Sequence, residues 1–243
     1  MNRKGNDMQI KFTGNSQVRP LHKMIITGTG RAGTTFLVQL LTALDVETGF
    51  RDIYENVYEN CHAGMEKDIH DPSAPYLIKD PSLCDELAQI VESGICVIDH
   101  VFIPVRDLEA AAMSRISVSQ QARKFQTKKF QKGHLRFLFT GARDKRAVPG
   151  GLIGTDNPEE QSHILTEKLY RLIYAISVFD IPHTFLHFPR IIQDPRYLHQ
   201  KLAPIIGDMD YSRFKQAFDD VVRPELVHDF SLPCLMRPQY AGS

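Results

Sequence analysis

The stretch MIITGTGRAGTTF, Met24 to Phe36, joins a short apolar run to an amphipathic one through Gly28-x-x-x-x-Gly33. Strand, glycine-rich turn and helix in that order aim several backbone N–H groups at one point. The helix N-terminus adds partial positive charge, so the turn suits a phosphate or sulfate group. One slot departs from the common phosphate-binding pattern. The position after Gly33, usually Lys, holds Thr34, and the only cation of the turn is Arg31. Thr34 and Thr35 offer hydroxyls to the same oxygens, while Arg31 presents a planar, always charged fork that fits a divided anion. A plain tight turn would need glycines alone; strand, glycine spacing, double Thr and helix together specify an anion site.

Working outward, KMIITG reads as a buried parallel strand and TTFLVQLLTAL as a helix, with Phe36, Leu37, Leu40, Leu41 and Leu44 on one face. DVETGFRDIYENVYEN reads as a loop followed by a helix. APYLIKDP is a second strand stopped by Pro81, and SLCDELAQIVES a helix with Ser82 as N-cap. HVFIPVRD is a third strand, placing Asp99 and His100 just before it, and LEAAAMSRISVSQQARKF continues as a helix. Strands alternating with helices predict βαβ units and a parallel sheet. The periodicity dissolves between Lys128 and Asn157, and a basic, Gly/Pro-rich lid or insertion is expected around residues 120–157. PEEQSHILTEKLYRLIYAISVF is an amphipathic helix with Pro158 at its first position. HTFLHF is a fourth strand, DPRYLHQKLAPIIG a helix closed by Gly207, and DYSRFKQAFDDVV the last helix.

The 243 residues suit one domain over 23–243 after a polar leader, 1–22. Lys plus Arg equals Asp plus Glu, 29 each, so total charge specifies neither nucleic acid nor membrane. The charge is uneven: Gln121 to Arg146 holds nine basic residues and one acid, Asp144. Cys61, Cys84, Cys96 and Cys234 form no CxxC pair or metal-ligand spacing and read as reduced thiols. With no secretory signal and no apolar run of membrane-spanning length, a cytoplasmic protein is expected.

Two chemistries suit the turn. A kinase needs the missing Lys and a strand-end acid for Mg²⁺, a role open to Asp99. Sulfuryl transfer from 3′-phosphoadenylyl sulfate needs a second anion site and no metal, provided that cations and amides stabilise the departing bridging oxygen. Arg106 at a strand end and Ser114 two helical turns later supply such a site. The combination GxxRxGTT with a later strand-borne R-D-x6-S resembles the P-loop sulfotransferase family. So do YLIKDP and HFPRIIQDPRYLHQKLAPIIG, and the likeness runs from Lys23 to about Asp220. It is nearest to bacterial and tyrosylprotein sulfotransferases, which also carry Arg in the loop and KDP on the second strand. Leu108 follows RD where Pro is commoner, and the RKG loop of cytosolic members is missing; the basic segment from Arg123 is a candidate substitute.

The resemblance implies an α/β, three-layer P-loop fold with a mainly parallel central sheet flanked by helices. It implies a donor, 3′-phosphoadenylyl sulfate, leaving as 3′,5′-ADP, held by Gly30, Arg31, Ala32, Gly33, Thr34 and Thr35, with Arg106 and Ser114 on its 3′-phosphate. Arg31 and Lys79 would stabilise charge on the bridging oxygen, and no metal is implied. An acid shortly after the loop helix would be the base: Asp52 fits by spacing, then Glu55, with Asp80 third. The acceptor, a hydroxyl or amine on a small molecule, glycan or peptide, is not specified, though residues 50–70 and 120–157 are its expected walls. His183 and His187 share a strand face and read as structural rather than metal-binding. Asp99-His100 has no accompanying nucleophile motif, and RKFQTKKFQKGHLRF ranks below donor contact as a nucleic-acid surface. A non-catalytic nucleotide-binding module stays open beside the two enzymes.

Overall fold

The computed structural model describes residues 21–58, 61–131 and 150–226, with backbone only for 122–131. Strand β1 (Leu21–Ile26) leads through the glycine-rich turn into helix α1 (Thr34–Ala43). Two short strands follow, β2 (Val57–Tyr58) and β3 (Ala63–Gly64), then β4 (Leu77–Lys79), α2 (Leu83–Ser93) and the long β5 (Cys96–Val105). Helices α3 (Leu108–Gln131) and α4 (Pro158–Val178) precede β6 (His183–His187). Four α-helices follow, α5 (Arg190–Gln193), α6 (Pro195–Lys201), α7 (Ala203–Ile206) and α8 (Tyr211–Val221), and a 3-10 turn at Pro224–Leu226 ends the described chain.

The main sheet is four-stranded and all-parallel, in the order β4-β1-β5-β6. Alternation along each strand sorts its side chains into two cores. Met24, Ile26, Leu77, Phe102 and Leu186 pack with α1, α5, α6 and α8. Ile25, Ile78, Val101 and Ile103 pack with α2 and α4. Helices therefore cover both faces over β4, β1 and β5, whose carboxyl-terminal halves are near-continuous apolar runs, while the edge strand β6 keeps His183, Phe185 and His187 exposed. The chain steps from β1 to β4 by α1 on one face, then reverses across β1 to β5 by α2 on the other. Right-handed crossovers produce that change of face when the direction of winding changes. A reversal of strand order leaves a crevice at the carboxyl ends of the strands, the usual ligand position in such sheets.

Several local expectations change. β1 begins at Leu21, inside the expected leader, and buried Lys23 donates from Nζ to the carbonyls of Ala74 (2.5 Å) and Pro75 (2.9 Å). The helix expected after residue 50 is instead a set of turns and the antiparallel β2–β3 pair. Within that stretch Asn56 takes a left-handed φ of 56°, which a helix does not absorb. Ser82 does not cap α2 with its hydroxyl; Asp80 Oδ1 instead accepts from Ser82 N at 2.8 Å. Asp99 and His100 lie inside β5, not before it. The helix expected to end at Gly207 is two, divided at Leu202, because Pro204 has no N–H to continue the ladder. α4 starts as read, with Pro158 at its first turn and Asn157 Oδ1 accepting from Glu159 N and Glu160 N. Residues 1–20, Cys234 and the central lid segment 132–149, with most of its basic run, lie outside the described residues.

Candidate functional site

A cavity of about 750 Å³ opens at the carboxyl ends of β1, β4 and β5, beside the reversal of strand order. Its floor is the turn between β1 and α1. Gly30, Arg31 and Gly33 take φ values of 71°, 56° and 85°, and the run of left-handed residues turns successive N–H groups to one side. Gly33 is the N-cap of α1 without a side-chain cap, so the first-turn amides keep their donor capacity. Gly30 is required for a second reason. A Cβ there would lie 2.6 Å from Arg115 Nη2. Arg31 holds a conformation that glycine would take more readily, strain of a kind found at binding sites.

Three arginines surround this turn. Arg31 donates from Nε to Ser114 Oγ (3.0 Å) and from Nη1 to Cys61 O (2.8 Å). Arg106, at the end of β5, donates from Nη1 to Arg31 O (3.0 Å) and lies over the Phe188 ring. Arg115, 6% exposed, donates from Nη1 to Gly151 O at 2.6 Å and from Nη2 to Thr29 O. Its Nε is buried without a partner among the described residues. Burial lowers the pKa of Arg31, with Cys61 opposing and Arg106 adding to the effect; burial and then Arg31 bring Arg115 down to about 10. Both remain cations at neutral pH. Among the described residues, Arg31 and Arg115 bond hydroxyl and carbonyl oxygens but no carboxylate. A buried cation beside a half-buried one, with no carboxylate on either, creates a demand for an anion.

Lys79, 3% exposed at the end of β4, donates to Gly64 O (2.8 Å) and Glu66 Oε1 (2.9 Å). Burial lowers its pKa and Glu66 opposes that shift. Thr35 Oγ1 also donates to Gly64 O, at 3.4 Å, so one carbonyl ties the β2–β3 pair to both α1 and β4. Asp80 lines the cavity with its carboxyl pushed up by burial.

The fold thus brings Gly30, Arg31, Gly33, Thr34, Thr35, Lys79, Arg106 and Ser114 to one cavity. Ala32 is fully buried in the core, and only its backbone belongs to the turn. Asp52 is not among the lining residues. It is exposed, and its Oδ1 accepts from Tyr54 N at 2.7 Å, a local turn contact. Glu55 is similarly engaged by Arg51 N. Asp99 sits six residues before Val105, about 20 Å from the strand end by strand rise. There it accepts from Tyr76 Oη and pairs with His22 Nδ1, so it does not serve the turn as a metal acid. His183 contacts Ile181 O through Nδ1, and among the described residues no three His, Cys, Asp or Glu side chains cluster to hold a metal ion. Cys61, Cys84 and Cys96 are buried free thiols.

Five charged lining residues, Glu66, Arg115, Lys168, Arg223 and Glu225, had no role assigned from the sequence. Arg115 carried a faint signal, a lone cation in the small-residue run AAAMSRIS. Glu66 carried none, since only the β2–β3 turn brings it to Lys79. No family model, curated protein or solved structure matches the chain. Among the described residues no helix is long and apolar enough to cross a membrane.

Proposed function

We propose that this protein is a sulfotransferase that moves the sulfuryl group of 3′-phosphoadenylyl sulfate to an acceptor hydroxyl or amine, on a P-loop-type anion site without metal. The observation that carries this reading is the cluster of one buried and two half-buried guanidiniums around the Thr29–Thr35 turn, with no carboxylate on Arg31 or Arg115 among the described residues. A donor with a 5′-phosphosulfate and a separate 3′-phosphate supplies anions for two such positions. The turn amides, Thr34 and Thr35 take the first; Arg106 and Ser114 take the second. Thr34 in place of the usual Lys also favours this donor over ATP.

In the proposed step the acceptor oxygen forms a bond to sulfur as the bond from sulfur to the bridging oxygen breaks. The electron pair leaves on the 5′-phosphate of 3′,5′-ADP, where Arg31 and Lys79 stabilise the growing charge. The acceptor proton passes to a carboxylate. Glu66 takes this role in place of Asp52, because Glu66 lines the cavity beside Lys79 and Asp52 does not.

The test is a thermal melt. 3′,5′-ADP at a hundredfold its Kd stabilises by roughly 2.7 kcal/mol and should do so unchanged in EDTA. Stabilisation by ATP only with Mg²⁺ would establish the kinase instead, and no response to either would leave a module without this nucleotide site.

A further inference from the structure

Residues Gly150 to Thr155 lie across helix α3 as a strap before the chain enters α4. Arg115 Nη1 donates to Gly151 O at 2.6 Å, and one turn further along α3 Ser119 Oγ accepts from Leu152 N at 2.9 Å. Gln161, fully buried in the first turn of α4, donates from Nε2 to Ile153 O (2.5 Å) and Thr155 O (2.7 Å). Ala111 and Ala112 are small enough for Ile153 to pack against them and Leu165. Side chains thus tie three successive strap residues, Gly151, Leu152 and Ile153.

The near end of this strap lies on Arg31. Gly150 packs so closely on the arginine stem that a Cβ there would stand 2.9 Å from Arg31 Cδ. Ser114 Oγ and Cys61 O take Nε and Nη1 of the same guanidinium. Nη2 makes no hydrogen bond among the described residues, and Arg31 lines the cavity, which leaves that nitrogen for a ligand. Arg115 is arranged differently. Its hydrogen bonds run to Thr29 O on one side and Gly151 O on the other, so it ties the glycine-rich turn to the strap.

Resting on the reading of the turn as an anion site, whichever donor carries the anion, we infer that the strap positions Arg31 for that anion. Gly150, Arg115 and Ser119 are its positioning residues. A loose arginine side chain loses rotamer freedom when a ligand orders it, and that loss subtracts from affinity. An arginine braced beforehand on Ser114, Cys61 O and Gly150 avoids it. Ser119 is not among the residues that line the cavity, so its effect on the anion passes through Leu152 and Gly150.

The experiment titrates the full-length protein in a calorimeter with inorganic pyrophosphate and, separately, with 3′,5′-ADP. Ser119→Ala and Gly150→Ala are each measured alone and combined with Arg31→Met. Each should weaken pyrophosphate by about three- to tenfold in the wild-type background. In the Arg31→Met background neither should change it by more than about twofold, because the braced side chain is gone. Gly150 has a φ of 68°, so Ser119→Ala is the variant free of backbone strain and carries the test if Gly150→Ala does not fold. By reciprocity, saturating pyrophosphate should slow hydrogen exchange at Leu152 N by about threefold or more. Equal weakening in both backgrounds, no weakening by Ser119→Ala, or unchanged exchange at Leu152 N would overturn the positioning role. If pyrophosphate gives the expected pattern and 3′,5′-ADP does not bind, the strap inference stands and the donor reading fails. If 3′,5′-ADP binds and neither ligand shows the pattern, the donor reading stands and the strap inference falls. If neither ligand binds, the strap has no anion to serve and both fall.

Discussion

Gly30→Ala tests the clamp on the anion turn, because two separable penalties meet at that residue. The first is conformational: φ is 71°, and a side chain in the left-handed region costs about 1–2 kcal/mol. The second is steric. The new methyl would lie 2.6 Å from Arg115 Nη2, so the guanidinium must leave Thr29 O. A hydrogen bond to a charged group is worth about 1.5–3 kcal/mol, and the carbonyl it abandons sits beside a threonine that is itself buried. Together the substitution should cost about 2.5–5 kcal/mol in urea unfolding. In an Arg115→Met background the second penalty has already been incurred. Gly30→Ala should then cost only the conformational 1–2 kcal/mol, a coupling of about 2 kcal/mol in the double-mutant cycle. Equal costs in the two backgrounds would refute the clamp and leave Arg115 as a helix residue that merely happens to lie near the turn.

Arg106→Ala should weaken 3′,5′-ADP at least about tenfold more than 5′-AMP in calorimetry, since a charge-assisted contact to the 3′-phosphate is lost. Equal weakening of both would assign Arg106 to holding Arg31 O and Phe188. Glu66→Gln should lower turnover by roughly 10²–10⁴-fold while Asp52→Asn stays near wild type, and the reverse result would restore Asp52 as the base. At the far end of the sheet, burial and then the hydrogen bond and charge of Asp99 push Tyr76 up to about 12 from 10.0. The folded state thus holds this proton more tightly than the unfolded chain, so the contribution is complete below pH 10 and is lost as pH rises toward 12. Tyr76→Phe should flatten that part of the stability curve; an unchanged slope would place the effect elsewhere.

Much of this was legible in the chain because it depends on neighbours in sequence. The run Met24–Phe36 spells strand, turn and helix through local apolar period and glycine placement, and all three form there. Arg106 follows β5 directly and Ser114 lies in the first turns of α3, so their arrival at one cavity needed only the strand end and the helical period. The helix expected after residue 50 failed for an equally local reason. Asp52 and Glu55 satisfy nearby backbone N–H groups and so compete with the helical ladder, a choice that composition alone does not display.

By itself, then, the sequence determined the strand–turn–helix unit, the alternation that yields a parallel sheet, and the cation in the turn. Periodicity and backbone stereochemistry act over a few residues and are written there. Only the tertiary structure decided that Arg115 seals the turn, that Glu66 rather than Asp52 reaches the cavity, and that Asp99 lies at the wrong end of its strand. Those outcomes depend on strand register and on the reversal of order at β1. Both are set by burying two apolar faces at once, which no single segment encodes.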